Sequence, residues 1–389
     1  MSRDRHLVLI GPHAALCERA RRAGVGVIVV DTPGRLTPEV IALADHVIAT
    51  DYTDVTRTAE LIAALGRDLD IVGALSLTEF GLIPVARISE LLGLPDNPVE
   101  VVKRVRDKDL MRRRLAGDDR FSVPAALVSD RNELDRFLAE HPAPVVVKPH
   151  DGAGSMGVRL IDDGRIPDGL AYPLLAETYL DGREYSVEAL SVGGAHTIIG
   201  ITEKVLFDDS FVEQGHHFPA PLSDVDRALV HTYVRDFLDR IGLRDGLSHT
   251  EVILTREGPR AVETHTRNGG DHITDLVQMA TGFDMLDAAV RIRAGLTAEV
   301  PAVPEPARAA VIRYFAPPAG TVREAYGAAA ARYLPGVADL QLTVRPGDEV
   351  RPPRSSLDRV GYVMAVGADL DEARGHAETA MEAVVLTVE

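Results

Sequence analysis

Apolar residues in the first hundred positions come in short runs separated by amphipathic stretches. Residues 6–11 (HLVLIG), 25–31 (VGVIVVD), 46–50 (HVIAT) and 71–76 (IVGALS) have strand length and many β-branched side chains. Residues 14–23 and 80–92 space their apolar side chains along one helical face. Strand and helix in alternation predict a parallel α/β unit. A basic helix is expected over 102–116 (VKRVRDKDLMRRRLA). From residue 144 the pattern becomes strand-like, in 144–149, 158–161, 174–180, 184–190 and 196–203, with glycine or charged turns between. A helix is expected over 274–296. Residues 299–310 carry Pro301, Pro304 and Pro306 and read as a connector. Strands within 309–317, 341–344 and 359–368 and a helix over 372–385 complete the pattern. The divisions fall at residues 1–105, 106–300 and 301–389, an N-terminal α/β unit, an α+β core and a C-terminal domain.

The densest chemistry lies in 249–271, HTEVILTREGPRAVETHTRNGGD. REGP reads as a turn between two strands. A hairpin centred on Glu257 sets Glu251 opposite Glu263 and His249 opposite His265. Directly opposed residues share a sheet face, and period two adds Arg267. Two carboxylates that close repel unless a cation sits between them. A metal site, or a metal–phosphate site, is the expectation.

Composition narrows the partners. The chain has 389 residues, 46% hydrophobic and 26% charged, which suits a globular protein of two or three domains. A net charge of −17 argues against a sequence-independent nucleic-acid binder. A small ligand bringing its own metal to a local basic pocket remains compatible. The single Cys17 cannot form an internal disulfide, which suits a reducing cytoplasm, and it is placed on the buried face of the first helix. No apolar run is long enough for a membrane span or a signal peptide. Gly11 after a strand and Asp31 at the end of the next mimic a dinucleotide site, but GPHAAL lacks its second and third glycines.

Two further motifs accompany the hairpin. In APVVVKPHDGAGSMGVRLI (143–161), a β-branched strand ends at Lys148. Gly152, Gly154 and Gly157 then free the backbone to aim N–H groups at an anion, and Ser155 adds a hydroxyl. The loop joins two strands, so it reads as a flap over phosphates or simply as a glycine-rich turn. In LLAETYLDGREYSVEAL (174–190), Glu177 and Glu184 flank Gly182 on an interrupted strand, where a carboxylate can accept from an adenine amino group or ribose hydroxyls.

Flap, interrupted strand and hairpin, in this order across 108–271, resemble the ATP-grasp superfamily. The resemblance implies an ATP-grasp fold with a parallel α/β pre-ATP-grasp domain and a C-terminal lid. It implies ATP binding by Lys108, Lys148, Gly152, Gly154, Ser155, Gly157, Glu177, Thr178, Leu180 and Glu184. Glu251 and Glu263 would hold magnesium. Arg267 would stabilise a phosphorylated intermediate, with Lys148 beside it. His265 stands where the family usually has asparagine. It is expected either as an altered ligand, tolerating manganese, or as a histidine set back from the metal.

FVEQGHHFPAPL (211–222), with Glu213, His216 and His217, resembles a segment of the L-amino acid ligase branch that lies over the acceptor substrate. Its other reading is a solvated loop. In TRNGGDHI (266–273), Gly269 and Gly270 beside Arg267 suit a substrate carboxylate, and Asp271 either holds an ammonium or caps a helix. RPPRSSLDRVGYVMAVG (351–367) resembles the lid of dipeptide-forming ligases. The implied activity is an ADP-forming carboxylate–amine ligase that joins an amino acid or small carboxylate to an amino acid or amine through an acyl phosphate. A purine-type enzyme using formate or bicarbonate and a non-catalytic nucleotide-binding protein are the alternatives. Small-molecule substrates, no nucleic acid, no membrane and a homodimer are expected. Apart from Lys108, the arginines of 102–116 read as a solvated face.

Overall fold

The computed structural model describes residues 5–152, 154–208 and 210–389. Residues 1–4 of the expected first domain, and Ala153 of the glycine-rich loop, lie outside the described residues. Strands β1 (Arg5–Ile10), β2 (Gly26–Asp31), β3 (His46–Ala49) and β4 (Asp70–Leu75) pair in parallel in the order β3-β2-β1-β4. Successive side chains point to opposite faces, so both faces of a parallel sheet need cover. Helices α1 (Ala14–Arg22) and α2 (Pro38–Leu43) bury Leu7, Leu9, Val27 and Val29. Helices α3 (Val55–Leu65) and α4 (Leu82–Leu92) bury Val8, Ile10, Ile28 and Val30. Cys17 lies fully buried on α1, and burial pushes its thiol up to about 11.

The expected basic helix is two helices, α5 (Val99–Arg106) and α6 (Lys108–Leu115). Asp107 leaves the helical conformation, and its carboxylate accepts from the backbone N–H of Asp109 and Leu110, capping α6. The break turns Lys108 and Arg112 inward. Arg112 is 5% exposed, so the solvated-face reading fails for it and holds for Arg113 and Arg114.

A small antiparallel sheet, β5 (Ala125–Val128), β6 (Val145–Lys148), β7 (Arg159–Ile161) and β8 (Leu174–Thr178), runs in the order β5-β8-β6-β7. Helix α7 (Arg131–Glu140) packs Leu134 and Phe137 against it. The glycine-rich loop joins β6 to β7.

The largest sheet uses β9 (Gly182–Val192), β10 (Ala195–Leu206), β11 (Glu213–Phe218), β12 (Gly246–Thr255) and β13 (Gly258–His265). It continues into β14 (Ala309–Tyr314) and two strands of the C-terminal segment. That segment contains β15 (Gly320–Tyr326), β16 (Val337–Leu342), β17 (Glu349–Val350), β18 (Gly361–Gly367) and β19 (Val385–Val388). The order β13-β12-β9-β10-β11-β14-β18-β16 carries the ladder across residue 300 without interruption. Strands β17, β15 and β19 form a separate three-stranded sheet.

Helix α8 (Asp224–Ile241), absent from the expected elements, closes the back of the large sheet. It packs Tyr233 and Phe237 against Tyr185, Val187, Val252 and Ala261. Residues 213–218 are a strand rather than a solvated loop. The expected helix 274–296 is broken into α9 (Ile273–Thr281) and α10 (Met285–Arg293). Gly282 takes φ +76°, and Asp284 caps the second helix. A short α11 (Ala328–Ala331) and α12 (Leu370–Glu382) complete the fold.

Candidate active site

The front of the large sheet is polar because its strands align charged residues rung by rung. One rung joins His265, His249 and Glu188, the next Glu263, Glu251, Ser186 and Thr202. A third places Ile253 beside Glu184, with Lys204 opposite His216. The hairpin register is the expected one for His249–His265 and Glu251–Glu263. A bulge after Glu251 then shifts the inner pairs, so that the turn falls at Arg256 and Glu257. Between this floor and the small sheet lies a cavity of about 530 Å³.

Carboxylates and cations in this cavity are paired one against another. Lys108 Nζ lies 2.5 Å from Glu263 and donates to the Gly152 carbonyl at 2.8 Å. Lys148 pairs with Glu177, whose other oxygen accepts from Arg112 Nε at 2.9 Å. Arg112 also donates to the carbonyls of Ala261 and Val262, just before Glu263. Burial pushes Glu177 up, but Arg112 and Lys148 outweigh it and hold the carboxyl at about 2. Lys204 lies 2.6 Å from Glu184, 3.1 Å from Glu251 and 3.4 Å from Glu213. Burial disfavours its charge, yet Glu184, Glu251 and Glu213 together hold it well above the usual lysine range.

His265 spends both ring nitrogens on carboxylates. Nε2 is 3.0 Å from Glu263 and Nδ1 is 3.2 Å from Glu79. Glu79, from the N-terminal α/β unit, also accepts from Arg267 Nε at 2.6 Å and pairs with Arg106 at 2.9 Å. Burial raises Glu79, and His265 and Arg267 bring it down to about 2. His265 thus bridges Glu263 and Glu79.

At the far end, Asp271 takes φ +52°, a left-handed conformation uncommon for residues other than glycine. It does not cap α9, whose N-cap is His272. Instead Arg359 grips it with two nitrogens, at 2.5 and 2.7 Å, and His216 Nε2 lies 3.0 Å away. Burial works against the charge of Asp271, but His216 and Arg359 keep it well below the ordinary carboxylate range. Arg359 lies 3.6 Å above the Tyr314 ring. The preceding turn brings Ser356 to Glu213 at 2.9 Å, so the C-terminal segment walls this end.

Family models match three stretches in this order: an ATP-grasp N-terminal domain over 17–96, an ATP-grasp domain over 105–270 and L-amino acid ligase C-terminal domain 2 over 313–389. The chain belongs to the ATP-grasp superfamily. An uncharacterized protein of Sinorhizobium fredii is 29% identical, over 94% of this chain and 79% of its own length. Carnosine synthase 1 of Homo sapiens is 25% identical over 74% of this chain, which spans 39% of that larger protein. The crystal structure of L-amino acid ligase from Bacillus licheniformis superposes with a TM-score of 0.83 at 20% identity, covering both chains in full.

Within this ATP-grasp frame most of the sequence-derived residues line the one cavity: Lys108, Lys148, Gly152, Gly154, Ser155, Glu177, Thr178, Leu180, Glu184, Glu213, His216, Glu251, Glu263, His265, Arg267, Gly270 and Asp271. Gly157, His217 and Gly269 are not among the lining residues. Gly157 takes φ +76° against Pro149 and shapes the flap turn. His217 pairs with Glu203 at 2.8 Å on the other side of its strand. Gly269 lies behind the wall, where a Cβ would come within 3 Å of His249 and Glu188. The Ser155 hydroxyl is tied to the Phe211 carbonyl at 2.8 Å, and the carboxylate of Glu177 is occupied by Lys148 and Arg112. Glu177 thus anchors Lys148 and Arg112 at the cavity wall.

Arg112, Lys204, Glu79 and Glu188 are the site residues that sequence reasoning missed. Only Lys204 had a usable signal, since counting by two from Thr202 puts it on the polar face.

The donor set fits a divalent cation. Burial and mutual repulsion push Glu251 up, but Lys204 and His249 leave it well below the ordinary carboxylate range. Lys108 and His265 do the same for Glu263. Both are ionised, opposed and balanced by ammonium groups. Among the described residues no three His, Cys, Asp or Glu side chains form a ready-made cage. Magnesium at phosphate sites is commonly held by one or two carboxylates plus the phosphates, which is what this pair offers. Among the described residues no helix is long and apolar enough to cross a membrane.

Proposed function

We propose that the protein is an ADP-forming ligase that activates the carboxylate of an amino acid or small acid as an acyl phosphate and condenses it with an amino acid or amine. The observation that carries this reading is the junction of two charge systems in one cavity. Three lysines and two ionised, opposed glutamates form one end, and Arg267 with the Asp271–Arg359–His216 cluster forms the other. The second end is built partly by the segment that resembles L-amino acid ligase C-terminal domain 2, which favours this reading over a formate- or bicarbonate-using enzyme.

Lys108, Lys148 and Lys204 bind and orient the triphosphate, and the 152–157 loop covers it. Glu251 and Glu263 would hold magnesium, which when bound neutralises phosphate charge. His265 and Glu79 keep Glu263 and Arg267 in place. Arg267 meets the negative charge that builds where the substrate carboxylate oxygen attacks the γ-phosphorus and ADP leaves. The neutral amine nitrogen then attacks the acyl carbon, the bond from that carbon to the phosphate oxygen breaks, and the amine proton leaves with the phosphate. Glu213 and Asp271 receive the ammonium of the amino acid, and His216 and Arg359 fix Asp271. Such a site works mainly by positioning, charge neutralisation and exclusion of water.

Incubation with ATP, magnesium and pooled amino acids tests the reading. Phosphate release confined to particular amino acid combinations, with a product mass one water below their sum, supports it. AMP and pyrophosphate as products would refute the acyl-phosphate route.

A further inference from the structure

Glu188, in the middle of β9, has no exposed surface, and the reaction above gives it no task. One of its oxygens lies 2.5 Å from His249 Nδ1, and the other accepts from the Gly269 backbone N–H at 3.0 Å. The second ring nitrogen of His249 lies 3.5 Å from Glu251. A Cβ on Gly269 would meet His249 at 2.8 Å and Glu188 at 2.9 Å, so only glycine lets this turn approach so closely. A buried carboxylate is tolerated only when paired and hydrogen-bonded, and here each partner belongs to a different working part. His249 stands two residues before Glu251 on β12. Gly269 stands in the turn that carries Arg267 and Asp271.

We propose that Glu188 and His249 are positioning residues that couple the metal-holding strand to the 266–271 turn, so that one buried pair sets the geometry of both ends of the site. The naming of those ends rests on the proposed function, but the coupling itself concerns only this chain. Ordering Glu251 around a cation steadies His249 and Glu188, and through Gly269 steadies the turn. Displacing the turn loosens Glu251 in return, because coupling between two sites is reciprocal.

Two readouts on the full-length protein test this without turnover: Mn2+·ADP affinity, from the spin-resonance signal of free Mn2+, and amide exchange of residues 266–271. Glu188→Ala is expected to weaken Mn2+·ADP by about tenfold, the usual scale for losing a group that orients a metal ligand. It should also speed exchange at Gly269 and Gly270. Glu188→Gln keeps an oxygen for Gly269 and an amide for His249, and should restore most of both. If Glu188→Ala does not fold, Gly269→Ala carries the same test, because it pushes the turn off an intact Glu188. Weaker Mn2+·ADP binding in that variant, which leaves every carboxylate and lysine of the metal end in place, supports the coupling. Unchanged affinity, or weakened affinity with unchanged turn exchange, overturns it. Absence of amide-bond formation would leave both readouts intact, so the two failures are distinguishable.

Discussion

Glu177→Gln removes one buried charge while keeping its shape. In the native protein the carboxylate lies between Lys148 and Arg112, with side chains 4–7% exposed across the three. The pair of cations overcomes burial and holds the group at about 2 instead of 4.5. That difference corresponds to about 3 kcal/mol, at about 1.4 kcal/mol per tenfold. A depressed carboxyl contributes stability that is fully present above its unfolded value and lost as pH falls through the folded one. The window here is pH 4.5 down to 2. The glutamine has no charge to lose, so the gap between native and variant should be widest near pH 7 and close as acid is added. Unfolding of a several-part chain need not be two-state, so the readout is local. Amide exchange in β6 and β8, where Val146 pairs with Glu177, should show easier opening in the variant by about 3 kcal/mol at neutral pH. Lys148, no longer anchored, should raise KM for ATP. Equal protection at pH 7, or a difference that persists undiminished at pH 3, would refute the reasoning.

Glu263→Gln is expected to abolish turnover while His265→Asn retains part of it, in the same phosphate-release assay, because His265 acts by holding Glu263. Arg359→Lys removes the two-pronged grip on Asp271 and should raise KM for the amino acid by about tenfold, with a smaller rise in KM for ATP passed on through the 266–271 turn. Lys204→Met leaves Glu184, Glu213 and Glu251 without their shared cation, and its metal requirement should rise in a magnesium titration of activity. Chelation should stop phosphate release, and manganese should restore it.

What the sequence made legible was local. Opposed pairs such as Glu251–Glu263 follow from a turn and a period of two, and the loop between β6 and β7 follows from three glycines behind Lys148. Glu188 sits in a strand that reads as an ordinary apolar run, and only pairing with β12 gives it a partner; Lys204 falls just past the expected strand 196–203, and its three glutamates come together only once β9, β12 and β11 are aligned. Arg112 was hidden by its neighbours, because a helix that breaks at Asp107 presents a different face inward from one that runs through. Glu79 comes from an element nearly two hundred residues before the groups it binds, a distance no spacing rule spans. Glu177 was legible as a cavity residue, but its pairing with Lys148 and Arg112 was not.

The ladder that passes from β11 to β14 makes residue 300 a poor place to cut. A chain ending there would bare the full edge of β11, an open template for unwanted strand pairing. It would also strip Arg359 from Asp271 and Ser356 from Glu213. The C-terminal segment is therefore not a removable cover. Exchange of this segment between related enzymes has to carry β11 and its partners along.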